Sequence, residues 1–163
     1  MYQNPPKHPQ VHRAACDRGR VRQVVEAAAF APSWKNTQIA RYIVVTDKEK
    51  KDKLADNCML GFTYNQKTTH GAPALVVLTM IKERSGYERD GSFSTPLATH
   101  WQSFDAASPH RPSACPRMRS VSARLLWVFT IREVAKVVEI PEGQEVAALI
   151  ALGHPAQDRR RGA

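Results

Sequence analysis

The amino-acid sequence predicts a single domain in which helices cover a sheet of buried strands. The continuously apolar run 74–80 is typical of a strand covered on both faces, as in an α/β sheet, and 145–152 is a second run of this kind. Upstream of both, apolar residues recur at helical spacing from 17 to 30. A chain of 163 residues, 42% of them hydrophobic, is long enough to form one such domain with its own core.

The ordered part of the chain is predicted to begin after residue 16, because prolines interrupt the first sixteen residues. Asp17 is a suitable N-cap for a helix that continues to Phe30 and stops before Pro32. The β-branched run 41–45 then predicts a strand.

Two further helices and a strand are predicted between residues 46 and 80. Thr46 or Asp47 is a suitable cap for a second helix that reaches Cys58, and its Lys and Asp/Glu residues predict a solvated face. Residues 62–70 predict a short helix that a glycine and a proline end. The run 74–80 is then the central strand.

The C-terminal half is less regular. Residues 82–95 predict an exposed loop and 97–106 the start of a helix. Between 107 and 124, three prolines and four arginines show neither helical nor strand periodicity. The hydrophobic run 125–131 is compatible with a strand, and 133–138 predicts a short helix.

The formal net charge of +9 is unevenly distributed. The excess lies in residues 1–22, 107–132 and 157–163, which also lack regular periodicity. A basic chain raises the hypothesis of nucleic-acid binding. Aromatic residues do not alternate with these arginines, as they do in single-strand binders, so charge alone favours that hypothesis.

Other features indicate a cytoplasmic protein without membrane contact. No run of about 18 apolar residues is present, and residues 1–10 lack the apolar core of a signal peptide. Cys16, Cys58 and Cys115 are widely spaced and form no C-x-x-C pair, which fits a reducing compartment rather than a disulfide framework.

Residues 31–38, Ala-Pro-Ser-Trp-Lys-Asn-Thr-Gln, form the principal candidate site. They place a helix stop, a turn and four hydrogen-bonding side chains at a helix-to-strand junction. This predicts a ligand-cradling loop, because binding groups are commonly displayed on loops held by a rigid support. The alternative is an ordinary polar connection, since Pro, Ser and Asn favour turns for local backbone reasons.

Two other groups of side chains have a structural alternative that we favour. His8, His12 and Cys16 are spaced four apart, which would align three zinc-competent groups on a helix. A proline lies inside that array and no fourth ligand is near, so accidental spacing is the better interpretation. Polar and aromatic groups between His100 and Asp105 are best explained as a satisfied helix face.

The helix residues 24–28, Val-Val-Glu-Ala-Ala, followed by Ala-Pro-Ser-x-x-Asn-x-Gln at 31–38 and a strand, resemble the FMN-dependent nitroreductase family. The Ala-Pro pair at 72–73 before a buried strand is similar to that family. So are His-Trp-Gln-Ser-Phe-Asp at 100–105 and Leu-Ile-Ala-Leu-Gly-His-Pro at 149–155.

The resemblance implies an α+β fold with a mixed sheet flanked by helices, here incomplete. It also implies an intertwined homodimer that binds FMN at the subunit interface. Electrons then pass from NAD(P)H through the flavin to a small-molecule nitro or quinone acceptor, and neither a catalytic acid or base nor a metal is assigned. Carried over residue by residue, the implied FMN contacts are Pro32, Ser33, Asn36 and Gln38, with Asn65 and Lys67 as further candidates.

Two sequence features of the family are absent from this amino-acid sequence. The Arg-Arg-Ser-x-Arg pattern that holds the flavin phosphate in the family does not precede Asp17. Residues 107–132 also lack the family's Ala-rich helix ending in Gly-Leu-Gly and its following strand with a Gly close to the flavin. A frame shift near 1–16 and 107–132 explains both, because permitted codons read in a shifted frame restore these motifs. We therefore expect one nitroreductase-like domain over 1–163 with two anomalous segments and a truncated C-terminus, which sequencing the gene tests.

Three functional hypotheses follow. The first is an FMN-dependent oxidoreductase, and the second is an inactive or non-catalytic flavin-binding remnant of the same fold. A yellow protein that oxidises NADPH with a nitroarene distinguishes the first from the second. The third, a basic nucleic-acid-binding protein, requires salt-dependent binding that reflects several phosphate contacts.

Overall fold

The computed structural model describes residues 11–12, 18–108, 122–126 and 129–155. Helices and strands alternate along these ranges. The helices are α1 (Arg18–Ala28), α2 (Lys48–Cys58), α3 (Thr63–Gly71), α4 (His100–Ala107) and α5 (Ile131–Val137). The strands are β1 (Val11–His12), β2 (Ala40–Val45), β3 (Ala74–Ile81), β4 (Ser122–Leu126) and β5 (Gln144–Pro155).

The sheet is built around β3 and β5. β3 pairs with β2 along one edge and with β5 along the other, and β4 and β1 also pair with β5. All of these pairings are antiparallel. The predicted central position of 74–80 and the predicted α+β class, a sheet flanked by helices, are therefore confirmed, but the described strands pair only antiparallel and not in the expected mixed arrangement.

β3 is apolar throughout because its alternate residues enter two different cores. One core packs against α2 and α5, and the other packs against α1 and α4. The first contains Leu75 and Val77 with Leu54 and Val134, and the second contains Val76 and Leu78 with Val21 and Ala106. Each such aliphatic side chain contributes about 1.5–3 kcal/mol when fully buried, so both faces of the strand stabilise the fold.

The predicted elements between β2 and β3 are confirmed, and their ends are held by side chains. The Asp47 carboxylate accepts the backbone N–H of Lys50 at 2.9 Å, which makes Asp47 the cap of α2. Lys51, which is buried, donates from Nζ to the Ala72 carbonyl at 2.7 Å, just beyond the end of α3. A cation at a helix C-terminus also interacts favourably with the helix dipole.

The structure corrects the prediction of a strand over 125–131. The strand lies earlier, at Ser122–Leu126, where it pairs with β5 and buries Leu126, and Ile131 instead begins α5. The strand therefore begins inside the segment 107–124 that shows no periodicity, because an edge of β5 is available for pairing.

Other differences are smaller. Val11 and His12 pair with the end of β5, although no element was predicted there. The predicted helix near 97–106 begins only at His100. The proposed cap Asp17, His8, Cys16 and most of the two segments assigned to a shifted frame lie outside the described residues. None of the helices described here has both the length and the apolarity to cross a membrane.

His70 links α3 to α2. Its Nδ1 lies 2.9 Å from an Asp52 carboxylate oxygen and its Nε2 lies 2.9 Å from one of Asp56. The hydrogen bond to Asp52 is the main cause that raises the pKa of His70 above 6.5. Lys48 and His70 together lower the pKa of Asp52 below 3.8. The protonated imidazole is thus the form that the folded state favours.

We predict that this link makes stability depend on pH near neutrality. A raised pKa in the folded state means that the stabilisation is fully present below about pH 6.5 and is lost as pH rises through the raised pKa of His70. Urea denaturation of the wild type and of His70→Gln, followed from pH 5 to 9, measures the difference. It should shrink steadily as pH rises, whereas His100→Gln, which removes an exposed histidine, should retain the wild-type pH dependence. A pH-independent difference for His70→Gln would contradict the assignment.

Candidate functional site

The loop between α1 and β2 closes on itself through hydrogen bonds. Trp34–Asn36 form one 3-10 turn after Ser33, whose backbone is extended. The backbone N–H and the hydroxyl of Thr37 both donate to the Trp34 carbonyl at 2.9 Å. The Gln38 N–H donates to Ser33 Oγ at 2.8 Å. The loop therefore has a defined backbone that can present side chains in fixed directions.

Three residues of the loop adopt left-handed backbone conformations. The φ angles are 44° at Lys35, 55° at Asn36 and 45° at Gln38. Asn tolerates this region, but Lys and Gln adopt it rarely, and such conformations cost about 1–3 kcal/mol each. The Arg41 guanidinium donates to the Gln38 carbonyl at 2.7 Å and helps to hold the strained end. Strain of this kind, held by surrounding contacts, is typical of functional loops.

The buried carboxylate of Asp105 on α4 anchors the loop. Its Oδ2 accepts the backbone N–H of Trp34 at 2.9 Å and the hydroxyl of Ser85 at 2.5 Å. Asp105 is only 3% exposed, so both bonds form away from solvent. Ser108 adds a hydrogen bond from its hydroxyl to the Pro32 carbonyl at 3.2 Å. The loop position is consequently fixed by α4 rather than by its own sequence alone.

Aromatic rings line the outer side of this anchor. The Trp34 and Trp101 ring centroids lie 6.5 Å apart, and Trp101 meets Phe104 edge-on at 5.9 Å. Lys35 places its Nζ 4.3 Å from the Trp34 ring centroid and 2.6 Å from Glu88. The hydrogen bond from Lys35 lowers the pKa of Glu88. The result is a partly exposed aromatic surface beside the loop.

A cavity of about 90 Å³ lies beside the loop and is lined by Ser33, Gln38 and Tyr42 among others. Burial raises the pKa of the Tyr42 hydroxyl to about 12, so this group stays neutral. Sites for drug-sized ligands usually measure about 300–1,000 Å³. One chain alone therefore does not enclose a group as large as a flavin at this loop.

The exposed side of the loop suits a polar ligand better than the small cavity beside it does. Asn36 and Gln38 are both exposed, and no hydrogen bond among the described residues engages either side-chain amide. Each amide can donate and accept hydrogen bonds, as the polar edge of an isoalloxazine ring requires. The loop thus fits one side of an FMN site, although Ser33 Oγ is already engaged by Gln38.

The other two predicted contacts lie elsewhere. Asn65 and Lys67 are on α3, which ends three residues before β3 begins at Ala74. Asn65 is buried and Lys67 is exposed. The loop instead precedes Ala40, which pairs with Met80 at the opposite end of β3. An eight-residue strand spans about 23 Å, so the predicted contacts fall into two separate groups within one chain.

The sequence does not predict the anchoring residues as such. It predicts Asp105 only as part of a satisfied helix face, and the acceptor role of Asp105 agrees with that interpretation. Ser85 carried no sequence signal, because it lies in a segment rich in charge, Gly and Ser that predicts exposure, yet its side chain is buried. Only the three-dimensional approach of 82–95 to α4 identifies it.

Comparison with known proteins shows which proteins this chain resembles. Residues 13–75 match the model of the nitroreductase family. A protein of Archaeoglobus fulgidus, named as an NADH dehydrogenase/NAD(P)H nitroreductase, is 26% identical over 143 residues. That alignment covers 85% of this chain and 74% of the relative.

Solved structures extend the likeness to the fold. A nitroreductase family protein from Streptococcus pneumoniae TIGR4 superposes with a TM-score of 0.75 at 17% identity, covering 93% of this chain and 88% of that one. A nitroreductase family protein from Clostridium novyi NT superposes with a TM-score of 0.72 at 22% identity, covering 93% of this chain and 81% of that one. A structure described as an oxidoreductase containing FMN gives 0.71 at 20% identity, with 95% and 78% covered.

The resemblance to the nitroreductase family is therefore confirmed over 13–75 by the family model, and the solved structures show that the chain shares their fold. The chain is thus similar to proteins named as NAD(P)H nitroreductases and to an oxidoreductase that contains FMN.

We predict that Asp105 is required to hold the loop. In Asp105→Ala the Trp34 N–H and the Ser85 hydroxyl lose their shared acceptor, and hydrogen bonds to charged groups contribute about 1.5–3 kcal/mol each. The Trp34 amide should exchange with deuterium at least about tenfold faster, and trypsin should cleave after Lys35 more readily. Ser85→Ala, which removes only one of the two bonds, should give a smaller change. Unchanged exchange at Trp34 in Asp105→Ala would exclude the anchoring role.

Proposed function

We propose that this chain is an FMN-dependent NAD(P)H oxidoreductase that reduces nitro or quinone acceptors and works as a cytoplasmic homodimer. The observation that carries the proposal is the anchored loop 32–38. Asp105 fixes the backbone of the loop. The side-chain amides of Asn36 and Gln38 are exposed and make no hydrogen bond with any described residue. A rigid loop with free amides suits recognition of a planar heterocycle with polar edges.

The assignment of residues follows from this arrangement. Pro32 and Ser33 shape the start of the loop, and Asn36 and Gln38 hydrogen-bond the cofactor. Asn65 and Lys67 contribute from α3, where the exposed Lys67 suits an anionic part of the cofactor. The bound flavin supplies the hydride chemistry, and the protein positions it and leaves room for donor and acceptor in turn.

The separation of the two groups supports a site shared between subunits. The loop lies at the Met80 end of β3 and α3 leads into the Ala74 end, so one chain brings only part of the set to either place. In a twofold dimer, the loop of one subunit can meet α3 of its partner, and the same contact is then made twice. The small cavity beside the loop in one chain is consistent with this division.

A second candidate is a flavin-binding protein of the same fold without turnover. The observation that favours it is the 90 Å³ cavity, which encloses too little space for donor and acceptor to exchange unless a partner completes the site. The two candidates differ in turnover and not in flavin binding.

We predict that the purified chain binds FMN and oxidises NADPH when a nitroarene is present. Asn36→Gly removes the side-chain amide while keeping the left-handed backbone that the position requires. Loss of one ligand hydrogen bond should weaken FMN binding by about tenfold, measured by titration of flavin fluorescence. Asn57→Ala on the exposed side of α2 is the matched control and should bind normally. Colourless protein that takes up no FMN would refute both candidates, and flavin without turnover would favour the second.

We also predict complementation between two defective variants. Asn36→Gly and Lys67→Ala impair opposite halves of a shared site, so a mixed dimer has one site with both changes and one with neither. Random mixing should restore about a quarter of the wild-type sites, since about half of the dimers are mixed. FMN bound per chain after co-refolding measures this. Recovery no greater than the average of the two variants, with mixed dimers present, would show that each site is built within one chain.

A further inference from the structure

A short antiparallel hairpin, residues 86–94, lies between the end of β3 and α4. It is bridged at Tyr87 and Phe93, whose ring centroids lie 5.0 Å apart. The Ser94 N–H donates to the Gly86 carbonyl at 2.9 Å. A cross-strand hydrogen bond and an aromatic pair give the hairpin 86–94 a defined conformation, so it can hold a side chain at a fixed place.

The base of the hairpin is attached to α4 on both sides. Before it, the Ser85 hydroxyl donates to the Asp105 carboxylate, and after it, Thr95 Oγ1 accepts the Trp101 indole N–H at 2.8 Å. Gly86 has a φ angle of 86°, and a Cβ there would clash with the backbone of the turn before α4. Only glycine therefore fits this close approach.

The hairpin reaches the candidate flavin loop through an ion pair. The Glu88 carboxylate lies 2.6 Å from Lys35 Nζ, and the same ammonium lies 4.3 Å from the Trp34 ring centroid. Lys35 is one of the left-handed residues of the loop, with a φ angle of 44°. An exposed ion pair and a cation–π contact are together comparable with the cost of that backbone conformation, so they offset much of it.

The loop is thus attached at an inner and an outer point of unequal strength. The inner attachment, from the Trp34 N–H to Asp105, is buried. The outer attachment is exposed, since the side chains of Lys35 and Glu88 are 55% and 43% accessible. Solvent and salt weaken an exposed pair, so the outer attachment breaks first. Its loss frees the part of the loop that carries the amide of Asn36.

We propose that the hairpin 86–94 is a latch on the candidate flavin loop, and that breaking the Glu88–Lys35 pair lets FMN enter and leave. The latch rests on the proposed function, because the loop controls FMN exchange only if it binds the cofactor. Glu88 is a positioning residue that acts through Lys35. The pair favours the closed loop equally with and without FMN, so it slows association and dissociation alike and leaves the Kd unchanged.

Hydrogen exchange of the full chain without FMN tests the attachment itself. In Glu88→Gln, the Thr37 and Gln38 amides, which are hydrogen-bonded within the loop, should exchange about two- to fivefold faster. The Trp34 amide should keep its rate, because Asp105 still accepts it. Glu83→Gln removes the same charge from an exposed residue of the same segment and should change none of these rates. Unchanged exchange of Thr37 and Gln38 in Glu88→Gln would overturn the latch.

Stopped-flow flavin fluorescence tests the effect on FMN. In Glu88→Gln, the association and dissociation rate constants should both rise about two- to fivefold while the Kd stays the same. The difference from the wild type should shrink between about 0.05 M and about 0.5 M salt. Adding Glu88→Gln to Lys35→Met should cause no further increase, because the pair is already broken.

The outcomes separate the latch from the proposed function. A wild type that takes up no FMN would refute the proposed function and the role of the latch with it. FMN uptake with unchanged rate constants in Glu88→Gln would overturn the latch alone. A raised Kd with an unchanged association rate would also overturn it, since that result indicates a lost binding contact and not a faster opening of the loop.

Discussion

The candidate flavin site depends on one buried carboxylate. Asp105 joins the backbone of Trp34 to the hydroxyl of Ser85, so three distant parts of the chain meet at a single oxygen atom. Burying a charge is costly unless it is hydrogen-bonded, and here both donors are supplied. The same bonds offset the strain of the left-handed residues Lys35 and Gln38. Without this anchor, the loop would revert to the ordinary polar connection that its composition also permits.

The anchor in turn depends on the sheet having two covered faces. α4 can reach the loop because it packs on the face of β3 that carries Val76 and Leu78, the same face that α1 covers. The opposite face is covered by α2 and α5. A sheet with one solvated face would expose the alternate residues of β3, and its continuous apolar run would then be unfavourable. The core therefore fixes the relative positions of α1, α4 and the loop between α1 and β2.

Residue periodicity was enough to predict most elements but not their long-range contacts. The central strand 74–80, the cap Asp47 and the short helix before Gly71 follow from local rules that the structure obeys. The position of β4 does not follow from local rules, because Ser122–Leu126 becomes a strand by pairing with β5 and not through its own sequence pattern. Ser85 is a similar case, since this polar residue of a charged loop is buried only because its hydroxyl donates to the distant carboxylate of Asp105.

The two groups of predicted cofactor residues impose a further constraint on any function of this fold. The strand β3 is about 23 Å long. It separates α3, which precedes Ala74 at one end, from the loop before Ala40, which lies beside Met80 at the other end. No side chain is long enough to cover that distance, so the nitroreductase-like site needs the loop of a second copy or a different set of partners within one chain.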